Sequence, residues 1–171
     1  MYSKGNQLAL IVEANVEDDN RTIRIVTTHL KASKDESGEA VRLHQATELV
    51  DHLQRLDRRP TLLAADLNAT PTATEGSLYD STVYPYVAQT YRSSYARVLS
   101  RELPYSTWKS RHGRGVVKHT IDYIWYSPPD WRVEAVLDTP SEIDASLLPS
   151  YRYGSDHLAL VADLSLVERS S

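Results

Sequence analysis

Four short apolar runs, each meeting a polar side chain of catalytic type, limit most what this chain can fold into. Ile25-Val26-Thr27-Thr28 runs into His29, and Leu62-Leu63-Ala64-Ala65 runs into Asp66-Leu67-Asn68. Asp122 lies inside the run from Thr120 to Tyr126, and Asp156-His157 stands directly before Leu158-Ala159-Leu160. Apolar runs this short, bounded by polar residues, read as strands. A strand end at the rim of a sheet is where rigid backbone can aim a side chain into a cleft.

The rest of the chain supplies one domain around those strands. Its 171 residues can bury an ordinary core. Leu8 to Val16 and Thr22 to Thr28, about the acidic turn Glu17-Asp18-Asp19-Asn20, read as a hairpin. Leu43, Ala46, Leu49, Val50, Leu53 and Leu56 recur at helical steps, with Ser33 or Ser37 as the cap and Pro60 as the stop. Thr61 to Ala65 reads as a strand buried on both faces. Thr70-Pro71 resembles the start of a short helix. Ser106 to Lys109 and Thr120 to Tyr126 read as two strands about a basic Gly113-Arg114-Gly115 turn. Trp131, Val133, Ala135 and Leu137 alternate with Arg132 and Glu134, Val136 being out of phase. Residues 141–154 read as loop and Leu158 to Leu166 as the last strand. The expected class is α+β, with mostly antiparallel sheets flanked by helices.

Composition excludes several functions. There is no cysteine, hence no disulfide, thiolate metal site or cysteine nucleophile. No apolar run reaches membrane-spanning length, so no membrane partner is expected. No signal-peptide core is visible at the N-terminus, and an intracellular, cytoplasmic location is expected. The formal net charge of -4 argues against a surface built to grip long duplexes. The one basic concentration, Lys109, Arg111, Arg114 and Lys118, is local.

No G-x-S-x-G elbow, zinc spacing or phosphate loop is present. What remains is carboxylates, an amide and two histidines. His29 alone, or Asp66-Leu67-Asn68 alone, would read as an ordinary structural feature. Asp122 is different, because an acid between Ile121 and Tyr123-Ile124-Trp125 is costly to bury without a donor, and histidine is a natural one. An oxygen-rich set of this kind suits magnesium or manganese, which act on phosphate substrates through few protein ligands.

Thr28-His29-Leu30-Lys31, Ala65-Asp66-Leu67-Asn68, Thr120-Ile121-Asp122-Tyr123-Ile124 and Ser155-Asp156-His157-Leu158 resemble, in order and spacing, the successive C-terminal motifs of the endonuclease/exonuclease/phosphatase superfamily. The stretches Thr107 to Arg111, His119 to Ser127 and Leu148-Pro149-Ser150-Tyr151 resemble its deadenylase branch. The resemblance implies half of a DNase I-like four-layer α/β/β/α sandwich, with residues 1–171 forming the C-terminal part of one catalytic domain. It implies a magnesium- or manganese-dependent phosphoester hydrolase acting on the 3′ end of poly(A) RNA or on the 2′-phosphate of NADP(H). Carried over, Asp66 orients or deprotonates the attacking water, Asn68 holds water or phosphate, and His157, held by Asp122, stabilises phosphoryl charge. His29 faces the phosphate. Asp66, Asn68 and Asp156 stand in the metal region, and Lys31, Lys109, Arg111 and Trp108 contact substrate. Two departures stand out. Ser33 occupies a position where the nearest members of the branch carry arginine. The N-terminal half, which supplies an asparagine and the main magnesium-binding glutamate, has no counterpart here, and Glu13 and Glu17 do not replace it. An isolated half would expose an apolar face, so a homodimer is expected. A structural or interaction module without activity, and a relative acting on DNA or inositol phosphates, are the alternative readings.

Overall fold

A computed structural model describes residues 7–17, 19–73, 79–111, 113 and 115–168, without the side chain of Arg111. The chain forms β1 (Ala9–Asn15), β2 (Thr22–His29), α1 (Glu36–Arg55), β3 (Thr61–Asp66), α2 (Val83–Val87) and β4 (Arg92–Ser93). There follow α3 (Ser94–Leu99), β5 (Thr107–Arg111), β6 (Gly115–His119), β7 (Asp122–Tyr126), β8 (Trp131–Val136) and β9 (Ala162–Leu166). Among the described residues, five strands make one sheet in the order β1-β2-β3-β7-β4, while β5-β6 and β8-β9 are two separate ribbons. The architecture is α+β and, apart from the parallel β2–β3 pair, antiparallel.

Cross-strand partners share a face of the sheet. One face carries Val26, Leu63, Ala65, Tyr123 and Trp125, all buried against Ala46, Val50 and Leu53 of α1 and Val83 and Val87 of α2. The helical stripe read from the sequence is thus the lid of the core. The opposite face carries Leu10, Val12, Ile25 and Ala64, all exposed among the described residues. So β3 is not buried on both faces, as its continuous apolar run suggested. Among the described residues α1 and α2 cover the other face, and an exposed apolar face has the same sequence pattern as a covered one.

Five other expectations are corrected. The cap of α1 is Asp35, whose carboxylate accepts from the Gly38 amide at 2.6 Å. Ser33 and Ser37 donate their hydroxyls to it instead, and with the Gly38 amide they hold its pKa down at about 2. No helix begins at Thr70-Pro71 among the described residues, where Thr70 Oγ1 donates to the Thr72 carbonyl. The hairpin partner of β5 is β6, and the run from Thr120 leaves the hairpin to enter the main sheet as β7. A register shift between Val133 and Ala135 flips the alternation of β8, bringing Val136 rather than Leu137 to the inner side. Regular strand resumes only at Ala162 near the C-terminus.

The two faces should respond differently to truncation. Leu63→Ala removes a wholly buried side chain and is expected to cost about 2–5 kcal/mol in urea unfolding. Leu10, 61% exposed, should cost no more than about 0.5 kcal/mol on the same change. Equal losses would mean that the second face is covered in solution.

Candidate active site

Register builds the centre of the site. In the parallel pair His29 lies opposite Asp66, and in the antiparallel pair Asp66 lies opposite Asp122. The ends of β2 and β3 and the start of β7 therefore meet at one rim, on the face that the helices do not cover. His157 joins from the loop before the last strand. It is tied to β5 by a bridge between His157 and Thr107, and by the Leu158 amide donating to the Ser106 carbonyl at 2.8 Å.

Asp122 takes the imidazole Nδ1 of His157 at 2.8 Å and the hydroxyl of buried Ser106 at 2.6 Å. The Ser106 oxygen in turn accepts from the amides of Ile121 and Asp122. With Nδ1 engaged, the His157 ring presents Nε2 to the cleft. The hydrogen bond and charge of Asp122 raise the His157 pKa above its ordinary value. Burial and the neighbouring Asp122 charge raise that of Asp66, against the opposing Asn68 amide and the two histidines.

Asn68 adopts a left-handed φ of 49°, which asparagine tolerates. Its backbone amide donates to Asp66 Oδ1 at 2.8 Å and its side-chain nitrogen to the Leu30 carbonyl at 3.1 Å, leaving Oδ1 as the acceptor or ligand atom. His29 Nε2 stands 3.4 Å from Asp66 Oδ2.

Ligand atoms of Asp66, Asp122 and His157 lie within 4.8 Å of one another, close enough to share a cation. Two adjoining carboxylates, one with a raised pKa, are relieved by positive charge between them. Asp66 and the Asn68 amide oxygen are hard oxygen donors that suit a magnesium-like ion. Asp156 is outside that group of three. It is paired with Lys109, which holds its pKa low, so its place in the metal region is not seen here.

These residues open onto a cleft of about 480 Å³. His29, Asp66, Asn68, Lys109, Asp156 and His157 line it, while Asp122 lies behind His157. Lys31 is exposed and is not among the lining residues. Trp108 points to the other side of the hairpin from Lys109, where Lys118 Nζ stands 3.8 Å from its ring centroid and Tyr105 packs edge-on. It does not reach the cleft, because neighbours along a strand face opposite ways. The side chain of Arg111 lies outside the described residues, as do Arg114 and His112. Sequence reasoning missed Ser106, Lys34, Thr107 and His119. Ser106 in Tyr105-Ser106-Thr107 has no distinguishing pattern, and the others matter only through the cleft they share.

The sequence signature of the Endonuclease/Exonuclease/phosphatase family matches residues 11–157. This chain belongs to that family. Human nocturnin is 36% identical over 182 residues, covering 99% of this chain and 39% of that protein. The CCR4-Not complex 3′-5′-exoribonuclease subunit Ccr4 of Aspergillus fumigatus is 26% identical over 64% of this chain and 18% of its own length. The solved human nocturnin catalytic domain superposes with a TM-score of 0.74 at 32% identity, over 95% of this chain and 54% of that one. The chain thus spans about two fifths of nocturnin and about half of its catalytic domain.

The Asp122–His157 pair predicts a pH signature. A raised histidine pKa means that the pairing contributes fully below the unfolded histidine value of about 6.5 and is lost as pH rises through the folded pKa. NMR titration of the metal-free protein should give His157 a midpoint above that ordinary value, and Asp122→Asn should lower it. A midpoint unmoved by Asp122→Asn would count against the pair.

Proposed function

We propose that this chain carries the phosphate-processing centre of a magnesium- or manganese-dependent phosphoester hydrolase. The observation that carries this reading is the Asp66–Asp122–His157 cluster on three elements that meet at one rim. Asp66, with its raised pKa, orients the attacking water and takes its proton. Asn68 holds that water or a phosphate oxygen. His157, aimed by Asp122, which also raises its pKa, donates to the phosphoryl oxygens as charge builds on them. His29 supports the same phosphate from the β2 side. A bound divalent cation would add charge neutralisation beside Asp66 and Asn68.

The substrate in this reading is the 3′ end of poly(A) RNA or the 2′-phosphate of NADP(H). Support comes from the Ccr4 exoribonuclease relatives and from the sulfate anion, a phosphate analogue, in the solved nocturnin catalytic domain. A cytoplasmic setting suits either substrate, and no helix among the described residues is long and apolar enough to cross a membrane. Residues 1–171 act as the C-terminal part of one catalytic domain, whose remainder covers Leu10, Val12 and Ile25 and adds a metal-binding glutamate. Alone, the chain pairs through that face with a second copy.

Phosphate release from NADPH and shortening of oligo(A), run side by side on the complete protein that carries this chain, test the reading. One substrate should be turned over with magnesium or manganese and not in excess chelator. Asp66→Asn and His157→Ala should each lower kcat by about a hundredfold or more. Full activity in chelator removes the metal, and no turnover of either substrate favours an interaction module. The isolated 171-residue chain should sediment as a dimer and turn over neither substrate.

A further inference from the structure

Ser106 carries no motif of its own, yet its amide, carbonyl and hydroxyl are all engaged around the site. It is wholly buried and stands directly before β5. Its amide donates to the His119 carbonyl at 2.9 Å, which fixes it to the end of β6. Its carbonyl accepts from the Leu158 amide at 2.8 Å, next to His157. Its hydroxyl oxygen accepts from the amides of Ile121, at 3.0 Å, and Asp122, at 3.2 Å.

A hydroxyl has two lone pairs and one hydrogen. The two amides take the lone pairs, so the hydrogen is directed at Asp122 Oδ2, 2.6 Å away. The same oxygen meets His157 Nδ1 at 2.8 Å. A carboxylate can turn about its bond to Cβ and offer either oxygen. Two donors on Oδ2, one of them pinned by buried backbone, hold the rotation that faces the imidazole. The imidazole is held from the same segment. Leu158 is tied to the Ser106 carbonyl, and the Thr107 hydroxyl donates to the Asp156 carbonyl at 2.6 Å. Ser106 thus bridges the β5-β6 ribbon and the main sheet, and both members of the Asp122–His157 pair are placed relative to it.

We propose that Ser106 is a positioning residue for phosphoester hydrolysis, whose hydroxyl locks the Asp122 carboxylate, and through it the His157 ring, so that Nε2 is aimed at the substrate phosphate. Ser106 acts only through the pair, and the contacts of its own backbone do not depend on its side chain. Ser106→Ala therefore frees the carboxylate to turn while the hairpin and the His157 loop stay joined. An imidazole aimed less well binds the ground state almost as before and stabilises the transition state less.

This inference rests on the phosphohydrolase reading for its kinetic test and is separable from it by a spectroscopic one. In the complete protein, Ser106→Ala should lower kcat about tenfold while KM changes less than about threefold. Made in a His157→Ala background, the same substitution should cost no more than about twofold, because the group it positions is already gone. Equal losses in both backgrounds, or a loss confined to KM, overturn the assignment and leave the hydrolase reading intact. If neither substrate is turned over, NMR of the metal-free protein decides. Exchange of the His157 Nδ1 proton with solvent should be at least about fivefold faster in Ser106→Ala, and an unchanged rate overturns the assignment. Should Ser106→Ala fail to fold, Ser106→Cys, which keeps a side-chain atom in place with only a weak donor, goes through the same measurements. Failure of both variants to fold makes Ser106 a structural joint and overturns the positioning role.

Discussion

The register of β3 between its two neighbours is the constraint on which the site depends. Parallel pairing with β2 places His29 opposite Asp66, and antiparallel pairing with β7 places Asp122 there too. A slip of one residue in either ladder would turn one of these side chains to the helix-covered face, because side-chain direction alternates along a strand. The core enforces the register. Val26, Leu63, Ala65 and Trp125 must all fall on the helix side, which leaves the polar ends of their strands on the other. Burial and chemistry are therefore set by one alignment.

Around that row, polar groups are arranged as linked supports. Ser106 holds Asp122, Asp122 holds His157, and the bridge from Thr107 to His157 ties the last loop to the same hairpin. On the other side Glu39 and Arg42 form a buried ion pair whose worth lies less in net stability than in what its remaining donors and acceptors fix. Those fixed groups are the Lys31 and Ser33 carbonyls and the start of α2. The rigid centre is thus flanked by two loops, each tied to the framework by hydrogen bonds to backbone.

Much of this was legible in the residues. The helical stripe, the hairpin of β1 and β2, and the polar ends of the apolar runs are local patterns with a direct physical reading. That Asp122 needs a donor followed from its apolar neighbours, and His157 supplies one at 2.8 Å. The phase break at Val136 was visible as an exception, and the bulge in β8 is its cause. The cap was misread because three candidates, Ser33, Asp35 and Ser37, stand within five residues, and only the direction of their side chains separates them.

By itself the sequence determined that the runs before His29 and Asp66 and around Asp122 become strands, that the Leu43–Leu56 stripe is a helix, and which polar side chains lie where those strands end, since period and burial are properties of local pattern. Only the tertiary structure decided that the Thr120 run leaves the hairpin for the central sheet, and that Trp108 turns away from the cleft while Lys34 turns into it. It also decided that Lys109 is matched by Asp156, and that one face of the sheet stays uncovered among the described residues. These are questions of pairing between segments distant in the chain. A strand's own residues specify its two faces but not its neighbours, so that information appears only when all the strands are docked together.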